Sequence, residues 1–168
     1  MIYLVADEHY NHEKILQYTG RPFKDTKEMQ HELIKRHNSI VCKDDTVWHL
    51  GDVFFGDNWK QLAAILTRLN GKHHLCVGNH DKLGIWNYIE AGFISAHTSY
   101  QLEDFILVHD PAIAGVIRDK IFIHGHTHNL GTKLSNNTYC VSVECHNYYP
   151  VNIDTIKSEL WPVNKEYI

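Results

Sequence analysis

Short apolar runs that end in metal-binding or proton-carrying residues recur five times along this chain. Each run has the length and composition of a buried β-strand. The runs and the residues that follow them are 4–6 before Asp7, Glu8 and His9; 47–50 before Gly51 and Asp52; 75–77 before Gly78, Asn79, His80 and Asp81; 105–108 before His109, Asp110 and Pro111; and 121–124 before Gly125, His126, Thr127 and His128. Because ligands in layered α/β folds lie beyond the carboxyl ends of strands, the pattern predicts one site built from five separated segments.

Strands and helices alternate in the first half of the chain, and strands dominate the second half. The predicted strands are 2–6, 46–50, 73–77, 94–103, 104–108, 120–124 and 138–144. Amphipathic helices are predicted after the capping pattern at 25–28, from Trp59, around Ile85, and after Asp154 as the cap of a short final helix. This order predicts a layered α/β architecture in a single domain that spans residues 1–168.

Composition excludes several classes of protein. The chain is 43% apolar, which is enough for a core, and its net charge of −4 gives no basic field to attract nucleic acid. The first apolar run is too short for a signal peptide, and no later stretch has the length of a membrane span. The four cysteines show no CxxC spacing, which favours reduced thiols over a zinc ribbon. We therefore expect a cytoplasmic protein without dedicated nucleic-acid or membrane binding.

The residues that follow the strands supply seven nitrogen and oxygen donors. The donors are the carboxylates of Asp7 and Asp52, the imidazoles of His9, His109, His126 and His128, and the amide oxygen of Asn79. Such a mixed set suits Mn, Fe, Co, Ni or Zn better than Mg or Ca. Seven donors are too many for one tetrahedral ion and fit two ions that share a carboxylate. Two ions about 3.5–4 Å apart can activate water and clamp a phosphate ester. Two divalent ions outweigh two carboxylates, so the site suits an anionic substrate.

The ordered set Asp-x-His, Gly-Asp, Gly-Asn-His-Asp, His and Gly-His-x-His resembles the calcineurin-like metallophosphoesterase family. The resemblance spans residues 7 to 128, and the opening at 7–12 and the tail at 147–151 are most similar to small prokaryotic and phage members. It implies a four-layer αββα sandwich of two mixed sheets, with the metal site at the carboxyl ends of the strands. It also implies two divalent transition metal ions, for which we expect manganese, with Fe, Ni, Co and Zn as alternatives.

The resemblance implies a role for each motif residue. The first metal would be held by Asp7, His9, Asp52 and His128, and the second by Asp52, Asn79, His109 and His126, so that Asp52 bridges. His80 would face the substrate and protonate the leaving oxygen or stabilise phosphoryl charge, and Asp81 would orient His80. His12 and Arg21 lie near the first motif and are candidate substrate contacts, although a surface arginine is an equal interpretation of Arg21.

Several functions remain open within this framework. Residues 51–56 lack the arginine of the Gly-Asp-x-x-Asp-Arg segment found in serine/threonine phosphatase members. Without a guanidinium fork for a dianion, phosphodiesters such as cyclic or other nucleotides are favoured over monoesters and phosphoproteins. A dedicated DNA nuclease is disfavoured in a short acidic chain. A non-catalytic scaffold and a metal buffer are further alternatives, but no donor is missing and His80 is present. We expect a small phosphate ester as the partner.

Overall fold

Two β-sheets form the centre of the molecule in the computed structural model, which describes residues 1–115, 117 and 119–161. The strands are β1 (Ile2–Val5), β2 (Thr46–His49), β3 (Lys72–Cys76), β4 (Ser95–His97), β5 (Ser99–Leu102), β6 (Phe105–Val108), β7 (Ile121–His124), β8 (Thr138–Cys140) and β9 (Val151–Asn152). The first sheet has the order β4-β3-β2-β1-β9, in which β9 runs antiparallel to β1 and the other pairs are parallel. The second sheet has the order β5-β6-β7-β8, in which only the β5–β6 pair is antiparallel. The last part of the predicted domain, 162–168, lies outside the described residues.

Helices cover the first sheet and close one edge of the molecule. They are α1 (Ile15–Tyr18), α2 (Thr26–Ile40), α3 (Trp59–Leu66), α4 (Ile85–Ala91) and α5 (Ile153–Leu160), with 3₁₀ helices at Pro111–Gly115, His128–Leu130 and Val143–His146. The predicted start of α2 is confirmed, because the Asp25 side chain accepts a hydrogen bond from the backbone N–H of Glu28. Within the described part of the chain, each helix is too short or too polar to cross a membrane.

The hydrophobic core lies in layers on both sides of the first sheet. Tyr3 and Val5 of β1 pack with α2, α3 and α4, whereas Leu4 and the following Ala6 pack against residues of the second sheet. Because parallel strands buried on both faces need apolar side chains in both directions, their sequences are continuous apolar runs. On the outer face of the second sheet, Phe122 packs with Ala114 of a 3₁₀ helix. The prediction of an α/β sandwich of two mixed sheets is confirmed.

Three predicted boundaries are wrong. The segment 94–103 is two strands in different sheets, because β4 pairs with β3 and β5 pairs with β6. The segment 138–144 is extended only to Cys140, after which a 3₁₀ helix begins at Val143. The cap of α5 is Asn152, whose side chain accepts from the backbone N–H of Asp154. Since α5 begins at Ile153, Asp154 lies inside its first turn.

The carboxyl ends of strands from both sheets meet at one edge of the sandwich. Ala6, just after β1, forms a parallel bridge with Ser142, just after β8. The backbone N–H of Ala6 donates to the Val141 carbonyl at 3.1 Å, and the N–H of Val143 donates to the Ala6 carbonyl at 3.0 Å. These bonds join the two sheets directly beneath the residues that the sequence predicts as a metal site.

Candidate metal centre

Asp52 lies in the middle of the cluster at the strand ends. Its Oδ2 atom is 3.6 Å from Nε2 of His9 and 3.4 Å from Nε2 of His109, so one carboxylate faces histidines that follow strands of different sheets. Asp7 belongs to two compact groups of donors. Its carboxylate lies with His9 and His128 in one group and with Asp52 and His109 in the other. Donor atoms within each group lie within 4.8 Å of one another. This arrangement suits divalent cations held by the two carboxylates and the neighbouring histidines.

A second set of donors lies beyond Asp52. Oδ1 of Asn79 is 2.9 Å from Nε2 of His109 and 3.0 Å from Nδ1 of His126, and the two imidazole nitrogens are 3.2 Å apart. Nδ1 of His109 donates to the Leu50 carbonyl at 2.8 Å, which turns Nε2 toward the cluster. Atoms bound about 2.1 Å from a common ion are separated by about 3–3.4 Å. The spacing of these three atoms fits that requirement.

Two buried polar atoms of the cluster have no hydrogen-bond partner among the described residues. They are Oδ1 of Asp7 and Nε2 of His9, and both side chains are almost fully buried. An unpaired buried acceptor costs about 1–3 kcal/mol, so native proteins rarely leave one. A divalent cation would satisfy both atoms, and the mixed nitrogen and oxygen donors suit a transition metal. The structure thus brings all seven predicted donors together, while their division between two ions stays a prediction.

The cluster also tunes the protonation of its members. Burial by itself would raise the pKa of Asp52, but the hydrogen bond and charge of His109 lower it to about 2. Burial lowers the pKa of His9 to about 3 and raises the pKa of Asp7 to about 7. Burial would lower the pKa of His109, yet Asp52 and Asp7 raise it to about 9. The carboxylates therefore stabilise a positive charge beside them, such as a proton on His109. A metal ion can supply that charge in place of the proton.

Backbone strain is concentrated at the predicted ligands. Five of them have a positive φ: Asp7 (60°), His9 (50°), Asp52 (56°), His126 (70°) and His128 (47°). A left-handed conformation costs about 1–2 kcal/mol in a residue with a side chain. Such strain is typical of sites where geometry serves a function. Here it turns side chains from successive strand ends toward one point.

Glycines of the motifs allow the strand ends to approach closely. A Cβ atom on Gly78 would lie 2.2 Å from Oδ1 of Asp52, and a Cβ atom on Gly51 would lie 2.4 Å from Nδ1 of His109. Both contacts are far shorter than real Cβ contacts. Any side chain at these two positions would displace a predicted ligand, which explains the glycine in the Gly-Asp and Gly-Asn-His-Asp motifs.

His80 and Asp81 have different surroundings. His80 is exposed, its ring centre is 5.6 Å from that of His9, and its backbone N–H donates to Oδ1 of Asp52 at 2.8 Å. The Asp81 carboxylate is buried and accepts from the backbone N–H groups of Asp52, Val53 and Gly78 at 2.8, 3.1 and 2.8 Å. Asp81 therefore joins the loops that follow β2 and β3. That role differs from the expected one, in which it orients the His80 imidazole.

Arg21 lies behind the first motif. Only 4% of the residue is exposed, and its guanidinium donates to the carbonyls of Asp7 and Glu8 at 2.6 and 2.8 Å and to Glu144 at 2.7 Å. This placement corrects both interpretations of Arg21: it is not a surface side chain, and its guanidinium already bonds to protein groups instead of facing a substrate.

His12 lies beside the site, with its Nδ1 3.3 Å from Nδ1 of His9.

Glu144 is a functional candidate that the sequence analysis missed. Its Oε1 atom is 3.0 Å from Nδ1 of His128 and also accepts from Arg21. Burial would raise the pKa of Glu144, but His128 and Arg21 lower it to about 2, so it is ionised. A carboxylate on the far nitrogen fixes the ring of a metal-binding histidine. The sequence gives no clear signal for it, because Ser142 interrupts the apolar residues that precede Glu144.

A second buried network of hydrogen bonds begins at Glu8 of the first motif. The Glu8 carboxylate bonds Nδ1 of His49, and Nε2 of His49 is 3.0 Å from Nδ1 of His73. All three side chains are buried. His49 lies close to a motif in the sequence, whereas only the pairing of β2 with β3 brings His73 beside it.

Two cavities open beside the cluster and share His126 and Asp110 in their walls. One, of about 670 Å³, has a mixed lining in which apolar residues such as Leu134 lie among polar ones such as Ser135 and Asn136. The other, of about 580 Å³, includes Asn79 and His109. Among the described residues, neither wall contains lysine or arginine. Space for a substrate is therefore present next to the cluster, without side-chain cations in its walls.

The fold and the cluster together define an α/β sandwich protein with a candidate metal centre at its strand ends. The chain is 36% identical over 167 residues to the uncharacterized protein MJ1445 of Methanocaldococcus jannaschii, covering 92% of this chain and 88% of that protein. It is 30% identical over 160 residues to the gene 66 protein of Mycobacterium phage L5, covering 76% and 77%. The chain belongs to the family of these proteins.

Solved structures with the same fold include two that differ in size. AQ665 of Aquifex aeolicus, a protein of unknown function, superposes with a TM-score of 0.77 at 23% identity, covering 95% of this chain and 98% of that one. The nuclease MPE of Pseudomonas putida superposes with a TM-score of 0.53 at 20% identity, covering 79% of this chain and 64% of that one. At these identities the likeness establishes the fold alone. No protein-family model matches the chain.

Proposed function

We propose that the protein is a binuclear metal-dependent phosphoesterase of the calcineurin-like type that hydrolyses phosphodiesters, such as cyclic or other nucleotides. The observation that carries the proposal is the meeting of seven nitrogen and oxygen donors at one edge of the sandwich. Within that cluster, Oδ1 of Asp7 and Nε2 of His9 are buried without a partner among the described residues. Such a cluster of polar donors does not contribute to hydrophobic packing, and its atoms are suited to bind cations.

The donors would divide between two ions, with Asp52 as a ligand of both. Asp7, His9, Asp52 and His128 would hold one ion, and Asp52, Asn79, His109 and His126 would hold the other. Bound there, two divalent ions, of which manganese is expected, would activate a water molecule and neutralise the charge of the phosphoryl group. Glu144 fixes the ring of His128, and Asp81 holds the loops that carry Asp52 and Asn79.

His80 supplies the proton for the leaving oxygen. Its imidazole lies at the exposed rim of the cluster, where it can reach an ester bound over Asp52. A positioned general acid contributes about 10²–10⁴-fold to the rate. The bond from the His80 N–H to Asp52 fixes the base of the side chain relative to the centre.

The surroundings of the cluster favour diesters over monoesters. A monoester dianion is best held by a guanidinium fork, and Arg21 is committed to Glu144 and backbone carbonyls. The described walls of both cavities contain no lysine or arginine. A diester carries one negative charge, which two divalent ions offset. The alternatives of a phosphomonoesterase, a protein phosphatase or a non-catalytic scaffold receive no comparable support.

Hydrolysis by metal-reconstituted protein tests the proposal. The protein is stripped with a chelator, loaded with Mn²⁺ and assayed with bis(p-nitrophenyl) phosphate and p-nitrophenyl phosphate. We expect metal-dependent turnover of both compounds, with the larger kcat/KM for the diester. Asp7→Asn should abolish turnover, and the control Asp44→Asn, at a carboxylate whose side chain is 98% exposed, should not. Metal-loaded protein that cleaves neither compound would contradict the proposal.

A further inference from the structure

An exposed aromatic surface lies on the His9 side of the metal centre. The ring of Phe55 stacks on the ring of His12 with their centres 4.1 Å apart and their planes inclined by 11°. Tyr18 contacts the same histidine ring edge-on at 6.3 Å. Phe55 is 43% exposed and Tyr18 is 69% exposed, whereas His12 is buried beneath them. We refer to Phe55, His12 and Tyr18 as the aromatic platform.

Hydrogen bonds to the backbone of Phe55 hold the segment that carries its ring. The N–H of Phe55 donates to the Tyr10 carbonyl at 2.9 Å, and the Asn11 side chain donates to the Phe55 carbonyl at 3.1 Å. The preceding residue, Phe54, is buried and forms a bridge with Tyr10. Phe55 is therefore a fixed ring with one face covered by His12 and its other side open. Single exposed apolar side chains are common, but exposed aromatic rings grouped beside a candidate site form a surface suited to receive a ligand.

Within the platform, Phe55 is separated from the predicted ligand His9 by one ring, and His12 lies directly beside His9. The Phe55 ring is 6.2 Å from the His80 ring, and the His80 ring is 5.6 Å from the ring of His9. The ring of His12 is itself 5.2 Å from that of His9. The opposite side of the centre, near His126, instead opens into two cavities whose described walls mix polar and apolar residues and include no phenylalanine, tyrosine or tryptophan. A molecule whose phosphate lies at the centre thus meets the aromatic platform in one direction and these mixed walls in the other.

We propose that Phe55, supported by His12, is the stacking surface for the base of a small nucleotide ester, so that an unpaired nucleotide is the substrate class. The inference rests on the proposed function. Every base has a π-face that stacks on an aromatic side chain, and Phe55 carries no hydrogen-bonding group that would select among bases. A nucleic-acid polymer would need cationic contacts to its backbone, whereas the net charge is −4 and the described residues of the cavity walls include no lysine or arginine. The chemistry of the surface therefore fits one or two nucleotides.

Competition between two ligands that differ only in the base tests the platform. Adenosine 5′-monophosphate and ribose 5-phosphate share the sugar phosphate. Each is tested as an inhibitor of the hydrolysis of bis(p-nitrophenyl) phosphate by the Mn²⁺-loaded protein. Base stacking contributes about 5- to 150-fold to affinity. We expect the inhibition constant of the adenosine compound to be lower by at least about fivefold. Phe55→Leu should bring the two constants to within about twofold, and Phe55→Trp should keep them apart.

Trp161→Leu serves as the matched control. Trp161 is a half-exposed aromatic residue that packs at 5.4 Å on Phe105, at the start of β6, whereas the predicted ligand His109 follows the end of that strand. Four residues of a strand span about 13 Å, so this variant removes an exposed ring far from the centre. It should leave both inhibition constants unchanged.

A binding measurement separates this inference from the proposed function. The fluorescence of 2-aminopurine riboside 5′-monophosphate is quenched when its base stacks, and the titration requires no turnover. We expect quenching with the wild type and Trp161→Leu, and little with Phe55→Leu.

A protein that cleaves no ester but shows this pattern would contradict the proposed phosphoesterase function and support the aromatic platform as a base-binding surface. Equal inhibition constants for the two ligands in an active wild type, or a Phe55→Leu variant that still quenches, would overturn the platform alone. A single-stranded oligonucleotide that binds far more tightly than the mononucleotide would assign the surface to a polymer instead.

Discussion

At the rim of the cluster, His80 differs from the other histidines of the site. It is exposed, whereas His9 and His109 are buried, and its contact with Asp52 is made by its backbone N–H. Its imidazole therefore remains free to act on a substrate. The neighbouring Asp81 supports the loop through three backbone N–H groups, so the two adjacent residues have different surroundings.

His80→Ala should retain the metal ions and the fold but lower kcat by about 10²–10⁴-fold for a diester with an alkyl leaving group. The loss should be much smaller with bis(p-nitrophenyl) phosphate, because a nitrophenolate leaves without being protonated. Steady-state rates with both esters, together with metal analysis, check this. A variant that cleaves the alkyl ester at the wild-type rate would remove His80 from the mechanism.

Glu144 acts on the site through His128. With its side chain 4% exposed and its charge shared between His128 and Arg21, it holds both groups in one orientation. The bond to Nδ1 of His128 leaves Nε2 of that ring to face the cluster. A partner of this kind also makes the histidine a stronger donor to a metal.

Glu144→Gln should weaken metal binding by about 10- to 100-fold, the range found for partners of metal-binding histidines. Titration of chelator-treated protein with Mn²⁺ measures the effect, and circular dichroism establishes that the variant is folded. Glu32→Gln, which removes the partner of an ion pair on the surface of α2, is the control. If both variants bind Mn²⁺ with the wild-type affinity, Glu144 does not support the metal centre.

Among the elements, the strand ends could be predicted from the sequence and the connections could not. Apolar runs followed by Asp, Asn or His identify the ends of β1, β2, β3, β6 and β7, because burial and donor chemistry are both local properties of the sequence. The split of 94–103 between two sheets depends on which strands lie nearby, and no local pattern marks it. The buried position of Arg21 depends on Glu144, which is 123 residues away.

Helix α2 brings a buried histidine into contact with the sheet. His37 is 4% exposed, and its Nε2 is 2.7 Å from the Asn70 carbonyl. Burial lowers the pKa of His37 to about 4, although the bond to Asn70 opposes this shift. The unfolded chain therefore binds a proton at His37 below about pH 6.5, whereas the folded protein binds it only below about pH 4.

The contribution of His37 to the free energy of unfolding should consequently fall as the pH is lowered from 6.5 to 4. His37→Gln should therefore change the slope of that free energy against pH by about one proton, or up to about 1.4 kcal/mol per pH unit. The glutamine can still donate to Asn70, so the packing is largely kept. Urea unfolding of both proteins with a chelator present, across this pH range, measures the difference. Parallel curves for the two proteins would show that His37 does not titrate as inferred.

At the scale of the whole molecule, two mixed sheets share one edge at which their carboxyl ends meet. The Ala6–Ser142 bridge joins the sheets, and the donors of both then surround Asp52. The sandwich and the seven donors follow from the order of motifs along the chain. Supporting residues such as Glu144 and His73 emerge only once the sheets are assembled, because each acts through a residue from a distant segment.

Metal stoichiometry is the most direct test of the central claim. Elemental analysis of chelator-treated protein, re-equilibrated with Mn²⁺ and freed of excess ion, should give two ions per chain. Asp52→Ala should lose more metal than His9→Ala, because Asp52 faces donors on both sides. One tightly held tetrahedral ion with His109 and Asn79 uninvolved, or a metal content that Asp52→Ala leaves unchanged, would contradict a two-metal centre bridged by Asp52.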